Sequence, residues 1–127
     1  LLVTSSGGVG AITRAPFGVT RAIPETRRLL EQCMQEVLEV ARARKVRMAD
    51  TTIVDTMKFL DTLPPHGTTS LQRDIADGKP SELEYWNGAV VRLGREVNVS
   101  TPLHEHIYNC LLPQDLRARG KVTFPGT

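Results

Sequence analysis

The 127-residue sequence has no run of about 18 apolar residues, so nothing in it reads as a membrane-spanning helix. Its opening Leu1-Leu2-Val3-Thr4-Ser5-Ser6 is short and lacks a preceding basic segment, which excludes a secretory signal. There is no initiator methionine, and the abrupt apolar start reads as that of a fragment or a processed product. Cysteine is scarce: Cys33 and Cys110 stand alone, without the C-x-x-C spacing of a zinc site or the number a disulfide framework needs. Both adjoin apolar residues and are expected to be buried, reduced thiols of a cytoplasmic protein. No strong charge of one sign is present either. The net charge is only +2, with both signs interspersed, which argues against a nucleic-acid-binding surface. The densest basic stretch, Arg42, Arg44, Lys45 and Arg47, falls where a helix is expected to end, and cations there favour the helix dipole. Finally, no segment alternates apolar and polar residues as a strand does.

What remains is an ordinary globular composition, 40% hydrophobic and 24% charged, in a length that suits one domain with its own core. The apolar period is helical nearly throughout, so the expected class is all-α. The clearest helix runs from Pro24 to Lys45, with Pro24 in the first turn and Glu25 behind it. Leu30, Cys33, Met34, Val37, Leu38 and Ala41 form its buried stripe. A second helix is expected after Asp50 as N-cap, carrying Ile53, Val54, Met57, Phe59 and Leu60, and ending before the Leu63-Pro64-Pro65-His66-Gly67 segment.

Two capping boxes follow. Thr69-Ser70-Leu71-Gln72 opens a short helix closed by Asp77-Gly78. Ser81-Glu82-Leu83-Glu84 is expected to open another, with Leu83, Trp86, Val90, Leu93 and Val97 on one face. Gly88 and Gly94 inside it each cost about 1 kcal/mol against alanine, which points to close approach of other chain segments. Thr101-Pro102 supplies an N-cap and first-turn proline for a final helix with Leu103, Ile107, Cys110 and Leu111. The glycine-rich start, Ser5 to Gly10, reads either as a phosphate loop or as a helix with a small-residue face. With no preceding strand and no acidic partner at the right distance, the packing helix is favoured. His104 and His106 are two apart and point to different faces, His66 lies in a proline-rich loop, and no metal site is expected.

The stretch Ser70-Leu71-Gln72-Arg73-Asp74-Ile75-Ala76-Asp77-Gly78-Lys79-Pro80-Ser81-Glu82-Leu83-Glu84-Tyr85-Trp86-Asn87-Gly88 is more specific than any pattern. It resembles the substrate-facing segment of the ketopantoate reductase family, S-x-x-x-D-x-x-x-G-x-x-T/S-E-I/L-D/E-x-x-N-G. Thr101-Pro102 with Tyr108, and Ala11-Ile12-Thr13-Arg14-Ala15-Pro16-Phe17-Gly18, resemble later and earlier parts of the same domain, so the likeness covers residues 1–119 in order.

The resemblance implies a multi-helix domain of the 6-phosphogluconate dehydrogenase C-terminal-like type, without its NADPH-binding Rossmann domain. It implies a 2-oxo acid substrate, a homodimer, and Ser70 and Glu82 as substrate-binding residues, while the tail is expected to be loose because residues 120–127 lie beyond the likeness and carry no periodic signal. Capping explains both side chains equally well, since each stands at or near a helix start. Glu84 and Asn87 are read as structural. The family's general-acid lysine aligns one or two positions before Leu1. Asparagines of several members align with Val3 and Gly7, a departure that bears on the substrate. The 127-residue piece is therefore expected to be inactive by itself. Two other readings stay open at this point: the helical domain of another hydroxyacid dehydrogenase, or a non-catalytic helical dimerisation module.

Overall fold

The helix at the centre of the protein is the one with no polar face. In the computed structural model, which describes residues 1–126, α1 (Leu2–Thr13) buries every residue from Ser5 to Ala11. A helix apolar or small all round belongs inside a bundle. Around it pack α2 (Phe17–Thr20), α3 (Pro24–Ala43), α4 (Thr52–Thr62), α5 (Ser70–Ala76), α6 (Asn87–Glu96) and α7 (Pro102–Ala118). No strand occurs among the described residues. Small side chains let these neighbours come close. A β-carbon on Gly8 would lie 2.8 Å from Asn87 Nδ2 and 3.0 Å from Ile107 Cγ2. The packing-helix reading of the glycine-rich start is what the fold contains. Among the described residues, no helix is long and apolar enough to cross a membrane.

The core joins Val9 of α1 to Leu30, Cys33 and Met34 of α3, Leu60 of α4, Leu71 of α5, Leu83, and Ile107 and Leu111 of α7. In α3, Leu38 is buried and Val37 and Ala41 half-buried, but Glu36 and Val40 are buried too, so the covered arc is wider than the apolar stripe alone. The predicted close approaches in α6 are present: a β-carbon on Gly94 would meet the Val99 carbonyl at 2.8 Å, and one on Gly88 the Tyr108 ring at 3.0 Å.

Several local expectations are overturned by distant partners. Asp50 does not cap α4; its carboxylate accepts from Arg42 at 2.9 Å, and the helix starts at Thr52. Only Met57 and Leu60 of α4 are buried, while Val54 and Phe59 are 55% and 56% exposed, because α4 meets α3 and α1 along one face only. The second capping box does not open a helix: residues 82–85 form a turn and α6 begins at Asn87. The reciprocal bond of a capping box is not made. Ser81 N–H donates instead to Asp115 Oδ1 on α7, and Glu84 accepts from Arg92 and from the Tyr108 hydroxyl. The first box is half kept: Thr69 Oγ1 accepts from Gln72 N–H at 3.2 Å, but the Gln72 amide turns inward and donates to the Ala15 carbonyl.

Cys110 is a further correction. Along α7 the buried positions are His104, Ile107, Leu111 and Asp115, and Cys110 stands a quarter-turn off that line, exposed, with Sγ 3.7 Å from His106 Nε2. Cys33 is buried, and burial foremost, with Glu36 adding, pushes its thiol up to about 12. A thiol-specific reagent is therefore expected to modify one cysteine of the native chain, with Cys110→Ser abolishing that reaction and Cys33→Ser leaving it intact. Two rapidly modified thiols would contradict this burial. In the expected tail, the Phe124 ring lies 4.0 Å from the Arg117 guanidinium; Thr127 falls outside the described residues.

Candidate functional site

The first two turns of α1 are flanked by the two segments that carry the candidate substrate residues. On one side, the start of α5 lies over Gly7, where a β-carbon would come within 3.1 Å of Thr69 Oγ1 and 3.3 Å of Leu71. On the other, Asn87 at the start of α6 donates from Nδ2 to the Thr4 carbonyl at 3.3 Å. Ser70 follows Thr69 directly, as the first residue of α5, and Glu82 stands five residues before Asn87 in the turn leading to α6. Both are exposed, and among the described residues neither side chain has a hydrogen-bond or ion-pair partner. The capping that accounts for a serine or glutamate near a helix start is done by others: Thr69 caps α5, and Glu82 precedes a turn. Both side chains are thus available to a ligand.

Val3, on the same part of α1, is 47% exposed, whereas Gly7 is buried beneath Thr69 and Leu71. These two positions therefore present an alkyl group at one place and no side chain at the other. A cavity of about 220 Å³ lies further along, toward the C-terminal ends of α1 and α5; Arg14, Gln72, Gln114 and Arg117 line it, and it includes neither Ser70 nor Glu82. The glycines of α1 are buried within a helix and form no loop able to cradle a pyrophosphate. Among the described residues, no group of three or more His, Cys, Asp or Glu is placed to hold a metal ion.

Beneath the surface, a polar network ties the flanking segments together. His104 Nε2 lies 2.9 Å from the Cys33 carbonyl, which can only accept, so that nitrogen carries the proton. Its Nδ1 is then an acceptor, and receives Asn87 Nδ2–H at 3.2 Å. Asn87 therefore spends both amide hydrogens, on His104 and on the Thr4 carbonyl, joining α6 to α7 and α1. Asn87 is structural, as its place in the motif suggests. His104 is more than the sequence indicates: its ring is fully buried. Burial is the leading cause that holds its pKa below the ordinary value, although the Cys33 carbonyl and Glu36 pull the other way.

Sequence reasoning also missed Glu36. Its Oε2 accepts from Leu103 N–H at 2.9 Å and its Oε1 from His104 N–H at 3.0 Å, which makes it the cap of α7. Thr101, the expected N-cap, makes no side-chain cap bond. The available signal was a glutamate three residues from Cys33 and four from Val40, on what becomes a buried face.

Residues 1–114 match the family described as Ketopantoate reductase PanE/ApbA C terminal. The chain is 31% identical over 103 residues to a 2-dehydropantoate 2-reductase from Pyrobaculum aerophilum, covering 81% of this chain and 37% of that protein. A second 2-dehydropantoate 2-reductase, from Aquifex aeolicus, is 28% identical over 112 residues, covering 85% of this chain and 36% of its own length. Among solved structures, the dimeric ketopantoate reductase from Staphylococcus aureus superposes with a TM-score of 0.83 at 27% identity, over 92% of this chain and 42% of that one. The chain thus spans little more than a third of the length of the curated relatives it matches.

Proposed function

The chain belongs to the ketopantoate reductase C-terminal family, and from that premise we propose that it is the helical half of an NADPH-dependent reductase of 2-oxo acids, ketopantoate foremost. The match over residues 1–114 carries this reading. In it, NADPH is held by a Rossmann domain upstream and supplies the hydride that reduces the 2-oxo carbon. The α1 glycines, buried within a helix, support placing the cofactor elsewhere, and we assign this chain's part to the substrate side. Ser70 donates its hydroxyl hydrogen to a substrate oxygen, and Glu82 accepts from a substrate hydroxyl. The proton donor for the developing alkoxide is a lysine upstream of Leu1. The parent enzyme works as a dimer, like the relative from Staphylococcus aureus.

Hydride transfer needs both reactants held in near-attack geometry and the developing charge stabilised. One wall of a cleft does neither. The 127-residue chain is therefore expected to show no NADPH oxidation with ketopantoate, while the same chain joined to its Rossmann half and upstream lysine turns over. NADPH consumption by the two proteins, followed by absorbance, is the measurement. Turnover by the short chain would overturn the division of roles. Failure of the long one on ketopantoate, with turnover on another 2-oxo acid, would reassign the substrate in the direction that Val3 and Gly7 suggest.

A further inference from the structure

Glu82 binds substrate in this reading but sits in a surface turn, where a lone carboxylate has no rigid element to aim it. The residue before it is held unusually firmly. Ser81 is only 4% exposed, and all three of its polar groups are bonded to the last turns of α7. Its N–H and its hydroxyl each donate to Asp115 Oδ1 at 2.9 Å, and its carbonyl accepts from Arg119 Nη2 at 2.7 Å. Arg119 Nε in turn donates to Asp115 Oδ2 at 2.9 Å, so acid and base form one clamp around a single residue. Ser81 Oγ also accepts from Leu83 N–H at 3.3 Å, and the Glu82 carbonyl accepts from the amides of Tyr85 and Trp86 at 3.0 Å each. The backbone of Glu82 is thereby fixed on both sides, while its side chain makes no hydrogen bond among the described residues and feels Arg119 only through the field of its charge.

Asp115 is itself 4% exposed. Burial works against its charge, but the Ser81 amide, Arg119 and the Ser81 hydroxyl outweigh it and hold the carboxyl below its ordinary value. A charged acceptor beneath a turn is costly to bury for stability alone. It makes sense where a precise backbone position is needed above it.

We propose that Asp115 and Arg119 are positioning residues that act through Ser81 to aim Glu82 at the substrate. The inference rests on the substrate-facing reading of Glu82, and the test separates the two. In the chain joined to its Rossmann half, kcat/KM for ketopantoate is measured for Glu82→Gln, Asp115→Asn and the double variant. A displaced catalytic-site group costs on the order of tenfold or more, so Asp115→Asn is expected to lower kcat/KM about tenfold in the native background. On the Glu82→Gln background it should have almost no further effect, because the group it aims is already gone. A purely structural role would give the same factor in both backgrounds, and that result, or no loss from Asp115→Asn alone, overturns the proposal. No loss from Glu82→Gln overturns the reading of Glu82 itself.

Should Asp115→Asn not fold, Arg119→Met on the half-exposed partner serves in its place, with a smaller loss that likewise vanishes on the Glu82→Gln background and is restored in part by Arg119→Lys. A readout that needs no turnover is amide exchange in the 127-residue chain. The Ser81 amide should exchange much faster in Asp115→Asn; unchanged protection there counts against the clamp.

Discussion

Glu36→Ala is expected to lower the stability of the chain by about 3 kcal/mol, the order of two lost bonds from buried donors to a charged acceptor. The first turn of α7 has few ways to satisfy its amides. Pro102 has no N–H, and Glu105 N–H reaches the Thr101 carbonyl at 2.9 Å. That leaves Leu103 and His104, whose N–H groups both end on the Glu36 carboxylate. The residue is 7% exposed, so water does not replace what alanine removes. The negative charge also stands at the positive end of a 17-residue helix. Urea denaturation followed by circular dichroism measures the loss. Glu36→Gln keeps one acceptor oxygen and should fall between wild type and alanine. A Glu36→Ala variant within 0.5 kcal/mol of wild type would mean, on the scale of about 1 kcal/mol or more per orphaned donor, that water or Thr101 takes over the cap.

The second large effect is a loss of stability toward acid that runs through His104. Folded, the ring is neutral, with Nε2–H on the Cys33 carbonyl and Nδ1 accepting from Asn87. A second proton would go to Nδ1, facing the Asn87 amide hydrogen. Burial, the leading cause, sets the folded pKa below the ordinary 6.5. Above that value folded and unfolded chains are both neutral at this site, and stability does not depend on pH through it. As pH falls below 6.5 the unfolded chain takes up a proton that the folded chain refuses, so stability drops until the lower, folded pKa is passed. The slope is at most about 1.4 kcal/mol per pH unit for one proton. The depressed carboxylates, Asp61 beside Arg27 and Asp115 beside Ser81 and Arg119, contribute in the opposite protonation range: their stabilisation is present above the ordinary carboxylate pKa and is lost only at more acidic pH. Unfolding free energy measured between pH 7 and pH 5 should therefore fall in wild type. It should fall less in His104→Leu, which starts about 1–3 kcal/mol lower because Asn87 is left with an unpaired donor. Equal slopes for the two proteins would remove His104 from this account.

Much of the fold was legible without coordinates because helices announce themselves locally. The stripe from Leu30 to Ala41, Pro24 at a helix start, Thr69 three residues before Gln72, and Gly78 after α5 all act within one or two turns of chain. The segment from Ser70 to Gly88 was legible as a family signature, and the match over residues 1–114 bears it out. The same local reasoning failed at Asp50 and at Ser81-Glu82-Leu83-Glu84. In both places a capping side chain or amide had a better partner elsewhere: Arg42 for Asp50, and Asp115, 34 residues away, for Ser81. Cys110 was misplaced for a related reason. The apolar Ile107 and Leu111 near it are buried, but the helix turns Cys110 about 100° from Leu111 to the outside.

The pairing of donors and acceptors around the start of α5 and the turn before α6 is the part no sequence pattern contains. Asn87 and His104 share a hydrogen bond across 17 residues, Glu36 caps a helix that starts 66 positions later, and Arg119 closes on Ser81 from 38 residues away. Apart from Arg119, which also pairs with Asp115 one turn back, none of these residues has a partner within reach along its own helix that would reveal it. The absence of strand-like alternation and of a membrane-length apolar run, with the helical periodicity, determined by themselves that this is an all-helical domain; that the small-residue helix lies at its centre was decided by packing. Which helix end receives Glu36, which tautomer His104 adopts and where the turn carrying Glu82 is anchored were decided only by tertiary packing. The reason is physical: helical periodicity depends on neighbours three and four residues apart, whereas a buried polar group must take whichever partner the folded core brings within hydrogen-bond distance.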